Sequence, residues 1–266
     1  MNMYKLVKKP FFGTYMVKWK NPLTENEKKD WKQYVIKSKS NAKIIGLFAK
    51  GKNQIKGTIV LGHPMGKAAK GYFLKSDYPK ILRENGYNVF VFDFNGFGES
   101  TIGSFSFFHD IIAVGDKMKE IAPNLPIGYH GISLGAMWSI IAFTESKHPY
   151  NFAVIESAPT SLDEFWVKYP FAYIVLKLLY IILPKYKKKI NMLKRFNEIK
   201  NLKSILLVYS NKDDITPVSM AERFINKSVV PIGLYTVDDA NHANIIGSSH
   251  RKEYFEKMIN YFDNQV

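Results

Sequence analysis

The stretch Gly131-Ile132-Ser133-Leu134-Gly135 sets a serine between two glycines, where the apolar run LPIGYH gives way to the helical run AMWSII. A hydroxyl at such a strand-to-helix turn can act as a nucleophile. The turn is tight enough to strain the serine, and its flanking positions need glycine. The N–H of Leu134, at the helix start, is then aimed at a developing oxyanion. The bland reading of the same residues is a glycine-rich turn with a capping serine.

A serine nucleophile needs a base, and the base needs a carboxylate to orient it. SILLVYS ends a strand at Ser210 and is followed at once by NKDDITP, which holds Asp213 and Asp214, and GLYTVDDANH ends another strand and reaches His242. In the order serine, acid, histidine, with each partner on a loop after a strand, all three fall on one edge of a sheet. The second oxyanion donor is expected on the loop after GTIVLGH. Pro64 has no N–H, so the donor would be the Met65 amide, with Gly66 allowing close backbone approach. His63 reads chiefly as shaping that loop by hydrogen bonding, with a role as catalytic base as its alternative. Asp93 reads as a carboxylate that holds a turn, and Glu156 as a core residue at a strand end.

Those residues need a scaffold that repeats strand and helix. Buried-strand runs occur at GTIVLGH, YNVFVFDF, LPIGYH, FAVIES, SILLVYS and GLYTVDD. Helical patterns at 72–85, 107–121, after Ser133 and at 251–262 alternate with them. This predicts an α/β fold with a mainly parallel central sheet and helices on both faces. Lys32–Ser38 and Ile44–Ala49 read as two further short strands in a hairpin. Residues 1–40 read as a basic extension whose first 30 residues are irregular, and 41–266 as the main domain. The helical, basic stretch at about 161–200 interrupts the alternation and reads as an inserted cap.

The 266 residues hold 38 Lys and Arg against 23 Asp and Glu, a net charge of +15. With 46% hydrophobic residues, wholesale disorder and fibrous classes are excluded. The absence of cysteine excludes a thiol nucleophile and a disulfide framework. The excess charge is concentrated. Residues 1–40 hold ten Lys against Glu25, Glu27 and Asp30, a net of +7, and residues 164–203 hold nine Lys and Arg195 against Glu164 and Glu198, a net of +8. Such charge suits an anionic membrane surface; no recognition helix or RNA-module signature accompanies it, so no nucleic-acid partner is expected. Phe171–Leu183, the most apolar segment, would rise only about 20 Å as a helix, too short to span a bilayer. The N-terminal residues do not read as a secretory leader. His109, His130, His148 and His250 lack metal-ligand spacing and no phosphate loop occurs, so no metal or cofactor is expected.

Over roughly residues 40–266 the sequence resembles the α/β-hydrolase superfamily, most of all its esterase, lysophospholipase and serine-aminopeptidase-like branches. LGHPMG resembles the superfamily's H-G-x-G oxyanion loop, VFDFNGFGES its D-x-x-G-x-G-x-S loop and GISLG its nucleophile elbow. YSNKDDITP resembles its acid loop, G-x-x-D-x-x-x-P, and DANHA its histidine loop. Aligning Pro217 with the final proline of the acid loop selects Asp213 over Asp214. The resemblance implies Ser133 as nucleophile, His242 as base, Asp213 as orienter and the Met65 and Leu134 amides as oxyanion donors. Two positions depart from the pattern: Pro64 stands for the usual glycine, and Ser210 for the glycine before the acid.

The expected activity is hydrolysis of carboxylic esters through an acyl-enzyme, with a hydrophobic acyl group held by the cap. His63, Phe165, Trp166 and Phe171 are the candidate substrate contacts. Thioesterase and peptidase chemistry use the same triad and stay open, as does a non-catalytic scaffold that holds a membrane or partner. The expected location is the cytoplasm, with peripheral contact to an anionic membrane.

Overall fold

The apolar runs form one eight-stranded sheet in the computed structural model, which describes residues 3–184, 187 and 190–266. In chain order the strands are β1 (Lys32–Ser38), β2 (Ala42–Ala49), β3 (Gly57–Gly62), β4 (Tyr87–Phe92), β5 (Ile127–Ile132), β6 (Phe152–Glu156), β7 (Ile205–Ser210) and β8 (Ile232–Val237). Their spatial order is β1-β2-β4-β3-β5-β6-β7-β8. β1 and β2 pair antiparallel, β2 lies antiparallel on β4, and every other pairing is parallel. β3, β4, β5 and β6 are buried at every position, which is why they read as unbroken apolar runs rather than as alternating ones. β8, at the edge, is mostly exposed or half-buried.

The sheet separates two apolar cores. One face packs on the Phe108–Ile121, Leu134–Phe143 and Val218–Ile225 helices, the other on the Tyr78–Glu84 and Arg251–Asp263 helices. The helix expected over 72–85 is two pieces, Gly71–Leu74 and Tyr78–Glu84. The Ser76 hydroxyl donates to the Phe73 carbonyl at 2.7 Å and closes the first piece, while Pro79 begins the second.

Between β6 and β7 the chain leaves the sheet to form the helical cap: Leu162–Trp166, Pro170–Ile182 and Met192–Arg195. Lys185, Lys188 and Lys189, part of the basic cluster in the sequence, lie outside the described residues.

The first 40 residues are built into this framework. β1 closes one edge of the sheet, and Met3–Phe12, expected to be irregular, is a helix. Pro10 lies inside that helix and removes one internal hydrogen bond. Packing holds it: Phe11 and Phe12 are buried in the main core, and so is Lys8. The Lys8 ammonium bonds the Asn95 side-chain oxygen and lies 4.1 Å from the centre of the Phe107 ring. Asn95 in turn donates to Asp110, which also accepts from Ser38 and Ser40 at 2.6 and 2.5 Å. Residues on both sides of position 40 thus share the sheet and the main core.

Candidate active site

β5 delivers Ser133 and the Leu134–Phe143 helix carries the chain away. Ser133 sits between them at φ 49°, ψ −101°, a left-handed conformation that a non-glycine residue holds only when its surroundings enforce it. Two contacts do so: the Ser133 N–H donates to the Glu156 carbonyl at 2.9 Å, and the Met137 N–H donates to the Ser133 carbonyl at 2.8 Å. A side chain at Gly135 would put its Cβ 2.2 Å from the Gly62 carbonyl oxygen on β3. The second glycine of the motif is thus required by backbone-to-backbone contact.

The hydroxyl of Ser133 donates to His242 Nε2 at 2.8 Å, and His242 Nδ1–H donates to Asp213 Oδ2 at 2.7 Å. Asp214, the neighbouring acid, is exposed. Asp213 is buried and saturated by its own loop. Its Oδ1 accepts from the Ile215 and Thr216 amides, each at 2.9 Å, and its Oδ2 from the Thr216 hydroxyl at 2.6 Å. Burial pushes this carboxyl up. The His242 contact and the Thr216 bonds outweigh it and hold the group below the usual carboxylate range. Thr216 also lies 3.1 Å from His242 Nδ1, so it braces both partners. Its role escaped the sequence analysis, although an acid followed three residues later by Thr is a known self-bonding loop pattern.

Met65 and Leu134, the two expected oxyanion donors, line one small cavity with Ser133. His63 lies behind that loop, fully buried. Its Nδ1–H donates to the Pro64 carbonyl at 2.7 Å, its Nε2 accepts from the Phe94 N–H at 3.2 Å, and burial keeps its pKa below the ordinary value. With both nitrogens bound to backbone, it fixes the loop that carries Met65. Asp93 holds the adjoining turn, accepting from the Lys70 and Glu99 amides at 2.9 Å each and pairing with the Lys70 ammonium at 2.5 Å. Glu156 accepts from the Tyr254 hydroxyl at 2.6 Å inside the core.

Phe165 and Trp166 from the cap line the cavity at Ser133. Phe171 does not: it is 69% exposed on the outer side of the cap. Its place is taken by residues the sequence analysis did not single out, Phe12 from the N-terminal helix and Met137. Among the described residues no group of His, Asp or Glu is arranged to hold a metal ion, and no helix is long and apolar enough to cross a membrane.

The pattern that defines the serine aminopeptidase family S33 matches residues 53–204, more than half of the chain. The chain belongs to this family of α/β-hydrolases. A relative from Bacillus subtilis, the uncharacterized protein YqkD, is 25% identical over 207 residues, 70% of this chain. The match spans 66% of that protein's length, just under two thirds. The fold is shared with the Pyrococcus furiosus esterase Pf2001, at TM-score 0.73 and 21% identity over 94% of this chain and 98% of that one. It is shared also with the Pyrococcus horikoshii acylaminoacyl peptidase, at TM-score 0.67 and 16% identity over 89% of this chain and 42% of that one. The S33 match ends before the Asp213 and His242 loops, which rest here on their own geometry.

Proposed function

We propose that this S33 family member is a serine hydrolase of carboxylic esters with an apolar acyl group. The observation that carries the reading is the unbroken contact chain from Ser133 through His242 to Asp213, with Ser133 lining a small apolar cavity. In the proposed reaction, Ser133 Oγ attacks the ester carbonyl while His242 Nε2 takes its proton. The tetrahedral oxyanion is held by the Met65 and Leu134 amides. His242 then protonates the departing alkoxide as the carbon–oxygen bond breaks, leaving an acyl-serine. Water, deprotonated by His242, attacks that ester and releases the acid.

Two features favour an ester over an amino-terminal peptide. A substrate with a free α-amino group calls for a carboxylate beside the nucleophile, and among the described residues lining the two cavities at Ser133 there is no Asp or Glu. An apolar cavity of about 210 Å³ also lies beside the cavity at Ser133, sharing Phe12, Met137 and Trp166 with it. It lies between the N-terminal helix and the cap helix, walled by residues such as Val7, Leu176 and Leu179. It suits an acyl chain.

The test is intact-mass detection of a fluorophosphonate adduct, followed by turnover of p-nitrophenyl acyl esters and of aminoacyl anilides. One adduct on wild type, none on Ser133→Ala, and turnover of esters over anilides are expected. A wild type that takes no adduct overturns the catalytic reading, and preference for the anilides replaces the ester reading with a peptidase.

A further inference from the structure

The Pro170–Ile182 helix buries Ala172, Leu176 and Tyr180 against the protein, yet its opposite face is no more polar. Phe171, Ile174, Leu178 and Ile181 are 69, 59, 54 and 77% exposed, and they recur at three- and four-residue steps that form one stripe along the helix. Ile182 and Leu183 extend it at the helix end, at 71 and 52% exposure. The N-terminal helix, which walls the same inner cavity through Tyr4, Val7 and Phe11, adds exposed Met3 and Leu6. Single exposed apolar side chains are ordinary, but a continuous stripe of this extent marks a surface that meets something apolar.

Charge identifies the partner. Exposed Lys5, Lys9, Lys168 and Lys187 stand on or beside these two helices. The acids of the region are already matched within the chain: Asp163 to Lys177, Glu164 to Arg223 at 2.7 Å, and Glu198 to Arg195 at 2.7 Å. A second copy docked about a two-fold axis would bring like charges of the same stripe together, which disfavours it. An anionic lipid surface supplies both an apolar interior and the missing counter-charge.

We propose that the outer face of the cap helix, with the exposed side of the N-terminal helix, docks on an anionic lipid surface. The stripe lies in the plane of the surface at the boundary between headgroups and acyl chains, and the lysines sit among the headgroups. Docking stands on the stripe and its charge alone. One consequence rests on the proposed function: Tyr4, Leu179 and Leu183 line the inner apolar cavity close to this face, so a docked molecule receives an acyl chain directly from the lipid.

The test is flotation of the full chain with vesicles of phosphatidylcholine, with and without phosphatidylglycerol, beside size exclusion over a range of protein concentrations. The wild type is expected to float with the mixed vesicles and not with phosphatidylcholine alone. Ile174→Asp/Ile181→Asp should weaken that binding by about tenfold or more, and Lys168→Gln by about fivefold. Both variants should keep the wild-type melting temperature and turnover of a soluble short-chain ester, which shows that the fold and Ser133 are intact. Three results would overturn the proposal: no flotation with mixed vesicles, equal flotation with both kinds, or a concentration-dependent dimer that Ile174→Asp/Ile181→Asp abolishes. Loss of ester turnover in the wild type itself would count against the proposed function and leave the docking result to stand alone.

Discussion

The rings of Phe12 and Trp166 meet edge to face, their centroids 5.8 Å apart, where the N-terminal helix approaches the cap. Both line the cavity at Ser133 and the larger cavity beside it, so this pair belongs to the wall of both. The space past it should set chain length. Leu179→Trp, which fills the far cavity without reaching Ser133, is expected to lower kcat/KM for long-chain p-nitrophenyl esters by about tenfold or more. Acetyl ester turnover should be unchanged. Equal loss on both esters would mean that the acyl chain lies elsewhere.

Asp213 and Thr216 separate orientation from proton transfer. Asp213→Asn leaves a side chain of the same shape but favours the wrong histidine tautomer, so kcat should fall by about 10⁴. Thr216→Val removes one hydrogen bond to Asp213 Oδ2 and leaves the two amides on Oδ1. It is expected to lower kcat by about tenfold with KM unchanged, one lost charge-assisted bond in effect. A rise in KM instead would place Thr216 in substrate binding.

His148 should make the fold sensitive to mild acid. It packs against Phe143 and Tyr150, and neither ring nitrogen has a hydrogen-bond partner among the described residues. Burial pushes its pKa down from 6.5 to about 4. Between those values the unfolded chain holds a proton that the folded one refuses, so stability falls as pH drops from 6.5 toward 4. Thermal melts of wild type and His148→Phe across that window test it. The variant should lose less stability than the wild type, and parallel curves would remove His148 as the cause.

What could be read in advance follows from which residues have one possible place. β3, β5 and β6 are buried on both faces, so their sequences admit little but a parallel sheet. Gly135 is dictated by contact with Gly62, and the motif displays that constraint openly. The N-terminal helix gave no such signal, because Pro10 and Gly13 interrupt its pattern and its buried residues include Lys8. Phe171 was misplaced for a different reason. A helix apolar on every side carries no periodic cue to its inward face, so sequence alone could not assign Phe171 outward and Leu176 inward.

The position of Lys8 also bears on how the molecule is made. Its bonding partner Asn95 lies 87 residues further along the chain, and the cap residues that enclose Phe11 and Phe12 come later still. At about 5–20 residues per second, roughly ten to thirty seconds separate synthesis of this helix from synthesis of its last neighbours. Through that interval Phe11 and Phe12 can meet Phe97, Phe105 and Phe107 but not Trp166 of the cap. The N-terminal helix therefore waits for its outer cover, and the cavity it walls is closed only when the cap arrives.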